Sequence, residues 1–316
     1  RLIRFCVKSH VRVRRCKFCM TPLVELFLKA SSTDAGDRGS CPLSHKWFMV
    51  FYLLVERHAV NLRIIPVYTA SPPSEYTELF SGRRLPALAI YDEHDQGKKT
   101  TMTPSAVYAG NDELEELMRQ CFSMHVNVDT EVQWVSCNLL RNLNSLLLTG
   151  QTRPVISDLQ ELDKFISNTP TAFLESDSVS YADCVIATKV QQIRVAGPFY
   201  RNFFIPPDLR NLWVYMSSIY AVPAFQVSCP SDRDILLHYF DKVTFPKAVD
   251  RTATQRRILA LEPNQHSLSI PPAFPNSPRS HTEVRMVNQS AATTTVFDEV
   301  TVQELSKKQV TFGLLP

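Results

Sequence analysis

The residues best suited to chemistry are Gly39-Ser40-Cys41-Pro42-Leu43-Ser44, which stand between an alternating apolar stretch and a long apolar run. A cysteine that opens a helix meets backbone amides without intrahelical partners and the positive end of the helix dipole, and both favour the thiolate. Pro42 suits the first helical turn, where its missing N–H costs nothing. The motif reads C-P-L-S and not C-x-x-C, so no local thiol stands ready to resolve a disulfide. Cys41 is therefore read as a redox thiol of the one-thiol kind, expected to form a mixed disulfide with a small thiol such as glutathione. The competing reading is a helix-start thiol with no turnover. Cys16 and Cys19 form a close pair without the second pair that a zinc site needs, and no metal site is expected. The eight cysteines are scattered along 316 residues, and no apolar leader run precedes them. Reduced thiols in a cytosolic protein are expected.

Such a thiol has to be positioned by a strand before it and a helix after it. Residues 24–28 alternate and read as a strand. A polar loop over 31–40 leads to a helix over 41–57, and a second strand covers 62–67. Pro72-Pro73 opens a short helix over 74–80, and a third strand follows at 85–91. A charged hairpin with Gly97 leads to a fourth strand near 99–102 and an amphipathic helix over 111–121, with Leu114, Leu117 and Met118 on one face. The β-α-β-α-β-β-α order is that of the thioredoxin fold. In that fold a cis-proline precedes the third strand, beside the helix-start cysteine, and Leu85-Pro86 takes that place. Cys41, Leu85 and Pro86 are thus the candidate glutathione-binding residues.

The second half carries no strand signals. Helices are expected over 130–148 and 155–166. Ser180-Tyr181-Ala182-Asp183 is a capping box with Asp in place of Glu. Pro206-Pro207-Asp208 starts a helix through Tyr220, Val222-Pro223 interrupts it, and Ser231-Asp232-Arg233-Asp234 is a second capping box before residues 235–239. From about residue 246 the periodicity fades into Thr, Ser, Pro and Gln, so 246–316 is expected to be mostly disordered and dispensable for the fold. The expected domains are a basic leader (1–21), a thioredoxin-like domain (22–122), an all-helical domain (123–245) and the tail. The fold class is α/β plus all-α: a thioredoxin-like N-terminal domain followed by an all-helical C-terminal domain of glutathione-transferase type. A hydrophobic share of 44% supports a sizeable core, and a net charge of +3 is too small to argue for nucleic acid. The most apolar run, residues 47–55, is nine residues long between Lys46 and Glu56, far short of the roughly 18 of a membrane helix. It reads as a buried core helix.

These residues resemble the chloride intracellular channel family. The likeness runs through Leu26-Phe27-Leu28-Lys29-Ala30, Gly39 to Ser44 and Phe48-Met49-Val50, then Leu85-Pro86-Ala87-Leu88 and Tyr181-Ala182-Asp183-Cys184. It continues through Phe204-Ile205-Pro206, Leu212, Tyr215, Ala221, Phe225 and Cys229-Pro230-Ser231-Asp232, and is closest in pattern to invertebrate members. Leu43 and His45 replace the Phe and Gln usual in the family, and 98–110 lacks the acidic residue that helps hold glutathione in relatives. The resemblance implies a cytoplasmic protein that associates conditionally with membrane lipid, is linked to chloride or other anion transport, and has protein partners but no nucleic acid. It implies no required cofactor, with glutathione as the small molecule that Cys41 would take, and at most a weak glutathione-dependent thiol oxidoreductase activity. A non-catalytic scaffold of the same fold is the third reading. The family's membrane segment would map onto residues 41–67, where Lys46, Arg57 and Arg63 must be satisfied and where His45 and His58 are expected to charge near pH 6.5.

Overall fold

The structure, a computed structural model, describes residues 21–82, 84–91, 103–129, 138–271 and 310–312. The first half runs β1 (Leu23–Lys29), α1 (Pro42–Glu56), β2 (Asn61–Val67), α2 (Ser74–Phe80), β3 (Ala87–Tyr91), β4 (Ala106–Ala109) and α3 (Asn111–Leu117). Sheet order is β4-β3-β1-β2, and the short β5 (Val310–Phe312) pairs with the outer edge of β2. β1 and β2 are parallel, with Leu26 opposite Ile64; β3 is antiparallel to β1, and β4 to β3. This is the thioredoxin arrangement expected from the element order.

Strand periodicity sorts the side chains onto two faces. Val24, Leu26, Leu28, Leu62, Ile64, Leu88 and Ile90 join the core with α1, whereas Phe27, Ile65, Val67, Ala87 and Ala89 pack with Tyr76 and Phe80 of α2. Both faces are covered, which explains why β1 is nearly continuously buried and not alternately exposed. One polar group is buried there: Glu25 accepts from Arg63 at 2.9 Å and from the Tyr91 hydroxyl at 2.9 Å.

The second half is helical: α4 (Leu139–Thr149), α5 (Arg153–Ser167), α6 (Tyr181–Arg201), α7 (Arg210–Tyr220), α8 (Pro223–Ser228), α9 (Asp232–Phe240) and α10 (Arg251–Leu259). Its core is continuous with the α1 face of the sheet. α1 is therefore packed on all sides, and every residue from Ser44 to Val55 is buried. This is the physical reason for its unbroken hydrophobicity: one face meets the sheet and another meets the helices. Among the described residues, no helix is long and apolar enough to cross a membrane.

Several expectations are corrected. The fourth strand expected near 99–102 falls outside the described residues, and the strand that pairs with β3 is Ala106–Ala109. The helix expected from 130 is described from Leu139, and 130–137 lies outside the described residues. The helix over 111–121 passes into a π-helical turn at Met118–Phe122. Pro206-Pro207 do not begin α7; they form a turn in which the Pro206 carbonyl accepts from Leu209 N–H at 3.3 Å and from Trp213 Nε1 at 3.0 Å. The tail is corrected most, over 246–271. α10 is anchored there by fully buried Ile258, and Leu261, Leu268 and Ile270 pack against the helical core. Periodicity was a poor guide here because the segment is polar and lies across a surface, held at a few points. Residues 272–309 and 313–316 lie outside the described residues.

Candidate functional site

Cys41 lies where the sequence places it, at the cap of α1, with φ −59° and ψ 121° and no side-chain capping bond. It is half-buried. The loop that delivers it is closed by a tight approach. Gly39 N–H donates to Lys29 O at 2.7 Å, and a Cβ on Gly39 would lie 2.3 Å from the Ala30 carbonyl oxygen. The Lys29 amide donates to Ser44 Oγ at 3.3 Å, tying the end of β1 to the first turn of α1. The helical domain holds the same loop: Ser40 Oγ donates to Asp234 O at 2.7 Å, and Ser31 Oγ to Asp234 Oδ1 at 2.5 Å.

The Leu85-Pro86 peptide is cis. Ala87 stands opposite Phe27, so Pro86 and Leu85 lie against the C-terminal end of β1, from which the Cys41 loop departs. Gly110 N–H donates to Pro86 O at 2.8 Å, bringing the start of α3 to the same end of the sheet. Cys41, Leu85 and Pro86 thus share one end of the sheet.

The other thiols differ in environment. Cys184 is fully buried, and desolvation pushes its pKa well above the usual thiol value. Cys229 is also fully buried, and burial pushes its thiol up to about 12. Cys121 is only partly buried. Cys6, Cys16, Cys19 and Cys137 lie outside the described residues.

Lys46, Arg57 and Arg63 of the 41–67 segment each have polar partners in the fold. Lys46 is buried between the domains, where its Nζ donates to Asn111 Oδ1 and to the Tyr181 hydroxyl, both at 2.6 Å, and lies 3.6 Å from Glu115 Oε1. The Tyr181 hydroxyl in turn donates a hydrogen bond to Glu115 Oε1 at 2.6 Å. Burial lowers the Lys46 pKa to about 8, against the pull of Glu115. Arg57 donates to Val179 O at 2.9 Å and also to His125 O, and Arg63 pairs with Glu25. His45 contradicts the simple expectation. It is 2% exposed, and neither ring nitrogen has a hydrogen-bond partner among the described residues. Its ring packs on Phe225 of α8, with centroids 5.3 Å apart. Burial, with the nearby Arg38 and His266 charges, lowers its pKa to about 3, so it stays neutral where a free histidine would be charged.

Comparison with known proteins matches this architecture. The CLIC-like N-terminal domain family matches residues 22–102. The chain is 34% identical over 252 residues to the chloride intracellular channel exl-1 of Caenorhabditis elegans, covering 79% of this chain and 100% of that relative. It is 30% identical over 224 residues to the chloride intracellular channel Clic of Drosophila melanogaster, covering 69% of this chain and 81% of the relative. The chain belongs to the chloride intracellular channel family. The crystal structure of the family member EXC-4 from C. elegans superposes with a TM-score of 0.65 at 23% identity, over 80% of this chain and 95% of that one. The glutathione-transferase-like fold is wider than the family: a dehydroascorbate reductase of Chlamydomonas reinhardtii superposes at 0.55 and 15% identity, over 70% of this chain and 98% of that one.

Sequence reading missed the docking of the Cys41 loop onto α9. The second capping motif was its signal. Ser231 does cap α9, accepting from Asp234 N–H, but the Asp234 carboxylate accepts from Ser31 across the domain boundary as well as from Ser231 Oγ. An acidic residue read as a local cap is also an interdomain clamp.

Proposed function

We propose that this chloride intracellular channel family protein is a cytoplasmic protein in the compact form described here and associates conditionally with membrane lipid, where it conducts chloride or another anion. The observation that carries this reading is the burial of α1. Its apolar run from Trp47 to Val55 is held between the sheet and the helical domain, and Lys46, Arg57 and Arg63 are each tied to a partner. Membrane association then requires α1 to leave the interface, since a 15-residue helix is about 22 Å long against a bilayer core of about 30 Å. The test is flotation with anionic liposomes at neutral and mildly acidic pH, with chloride efflux recorded on the same vesicles. Pelleting of all the protein under every condition, with no efflux, overturns the proposal.

A second reading concerns Cys41. It is half-exposed, uncapped and at the same sheet end as the cis Leu85-Pro86 peptide, which supports a mixed disulfide between Cys41 and glutathione. The thiol serves as a redox handle, with turnover not required. Incubation with oxidised glutathione, followed by peptide mass mapping, is expected to find the adduct on Cys41 and to lose it in Cys41→Ala. An adduct confined to Cys121 defeats this reading.

A further inference from the structure

The sheet ends at β4 on one side, whereas on the other side β2 carries β5, which comes from the far end of the chain. Backbone parity shows which groups of β2 face that outer edge. Asn61 N–H donates to Pro22 O, and Val67 O accepts from Ala30 N–H, so the odd-numbered residues of β2 turn their peptide groups toward β1. These directions alternate along a strand, so Leu62, Ile64 and Pro66 face outward. Pro66 has no N–H to offer, and it falls on the edge, where a proline is tolerated and interrupts further pairing. The usable edge is therefore short: the N–H and C=O of Leu62 and of Ile64, then a break. β5 pairs along that stretch in parallel, with Leu62 opposite Val310, Arg63 opposite Thr311 and Ile64 opposite Phe312. In this register Thr311 is the residue that turns its own peptide groups toward β2, meeting Ile64 N–H and Leu62 O.

The two faces of β2 are already covered, one with α1 and the other with α2, and Leu62, Ile64, Ile65 and Val67 are at most 2% exposed. An added strand can reach β2 only at its edge, and a row of outward N–H and C=O groups there is a template for one. Residues 272–309, 38 in number, separate β5 from the helical domain. Their contour exceeds about 100 Å at about 3.3 Å per residue, so β5 is held to β2 by pairing and not by a short connection.

We propose that the outer edge of β2 from Leu62 to Ile64 is an acceptor slot for a short extended peptide added in parallel, and that Val310-Thr311-Phe312 of the same chain is its resident ligand. Main-chain pairing supplies the recognition, and Pro66 sets the length of the slot. Occupied by its own strand, the edge is closed to a strand from a second molecule; vacated, it is open to one. The tether holds the resident strand at a high effective concentration, so a free peptide competes only when that strand is disabled. The proposal stands apart from the membrane reading and from the chemistry of Cys41.

The test follows amide hydrogen exchange residue by residue in the full chain and in Thr311→Pro, which removes the N–H that faces Leu62 O. Exchange at Ile64 is expected to be at least about tenfold faster in the variant, while Arg63 and Ile65, whose amides face β1, keep their wild-type rates. A synthetic peptide of residues 305–316 at about 1 mM is expected to restore slow exchange at Ile64 in the variant, and the same peptide carrying Thr311→Pro is not. A wild-type rate at Ile64 in the variant overturns the resident strand. Failure of the unaltered peptide to slow Ile64 overturns the acceptor slot. Slow exchange at Ile64 in the wild type that is lost on dilution makes a second copy the source of the strand and overturns pairing within one chain.

Discussion

At the scale of single residues, two groups that look alike in sequence behave differently because of burial. His45 and Cys41 are one helical turn apart, joined by a His45 N–H to Cys41 O bond of 2.9 Å. One side chain is sealed from solvent and the other is half-exposed. The consequence for pH dependence follows from His45's lowered pKa. Its folded value, about 3, lies below the unfolded value of 6.5, so the unfolded chain takes up the proton first. Stability is unaffected above pH 6.5 and falls as pH drops from there toward 3. At pH 5.5 the expected cost from His45 is on the order of 1 kcal/mol. Urea unfolding of wild type and His45→Gln at pH 7.5 and 5.5 checks it: the wild type loses about 1 kcal/mol more than the variant on acidification. Equal losses would clear His45 of any role in acid sensitivity.

Elements are held by their ends. The start of α6 has the full capping box: Ser180 Oγ accepts from Asp183 N–H, and the Asp183 carboxylate accepts from Ser180 N–H at 2.7 Å. Asp183 does more, accepting also from Leu174 N–H at 3.1 Å and the Tyr215 hydroxyl at 3.0 Å. Ser180→Ala is expected to cost about 0.5–2 kcal/mol in chemical denaturation. Asp183→Ala is expected to cost more, because it strands several buried donors. The reverse ranking would mean that the box is held by the serine alone. The entry to α1 depends instead on a close approach. Gly39→Ala puts a methyl 2.3 Å from a backbone oxygen. Overpacking of this kind is expected to cost about 1–3 kcal/mol and to change the Cys41 labelling rate, since the loop must shift. Wild-type labelling in a stable Gly39→Ala variant would show that Cys41 is positioned by other contacts.

For the whole molecule, the domain seam and the tail are one system. Asp232 at the start of α9 accepts from Ser267 N–H at 3.0 Å and Ser267 Oγ at 2.7 Å, and its own N–H donates to Gln265 O at 2.9 Å. His266 Nδ1 lies 3.1 Å from Pro230 O, and its pKa responds to Arg38 of the Cys41 loop. The polar segment thus closes over the seam that holds the thiol. Truncation after Lys247 removes buried Ile258 and these bonds. It is expected to cost at least about 2 kcal/mol and lower the melting midpoint by roughly 4–8 °C. An unchanged midpoint would show that 248–271 contributes nothing to the fold.

The sequence by itself determined the order of elements in the first half, the cap at Ser180, the cysteine at the start of α1 and the Leu85-Pro86 position. Each is a local signal, written in side-chain period or in residues suited to particular backbone angles. It also determined that residues 47–55 form a core helix, because length alone separates a short apolar run from a membrane span. Only the tertiary structure decided the rest. Neutral His45, the doubled use of Asp234 and the strap over 262–270 all depend on contacts between residues distant along the chain. Burial and charge depend on what packs opposite, and no spacing within one segment records that.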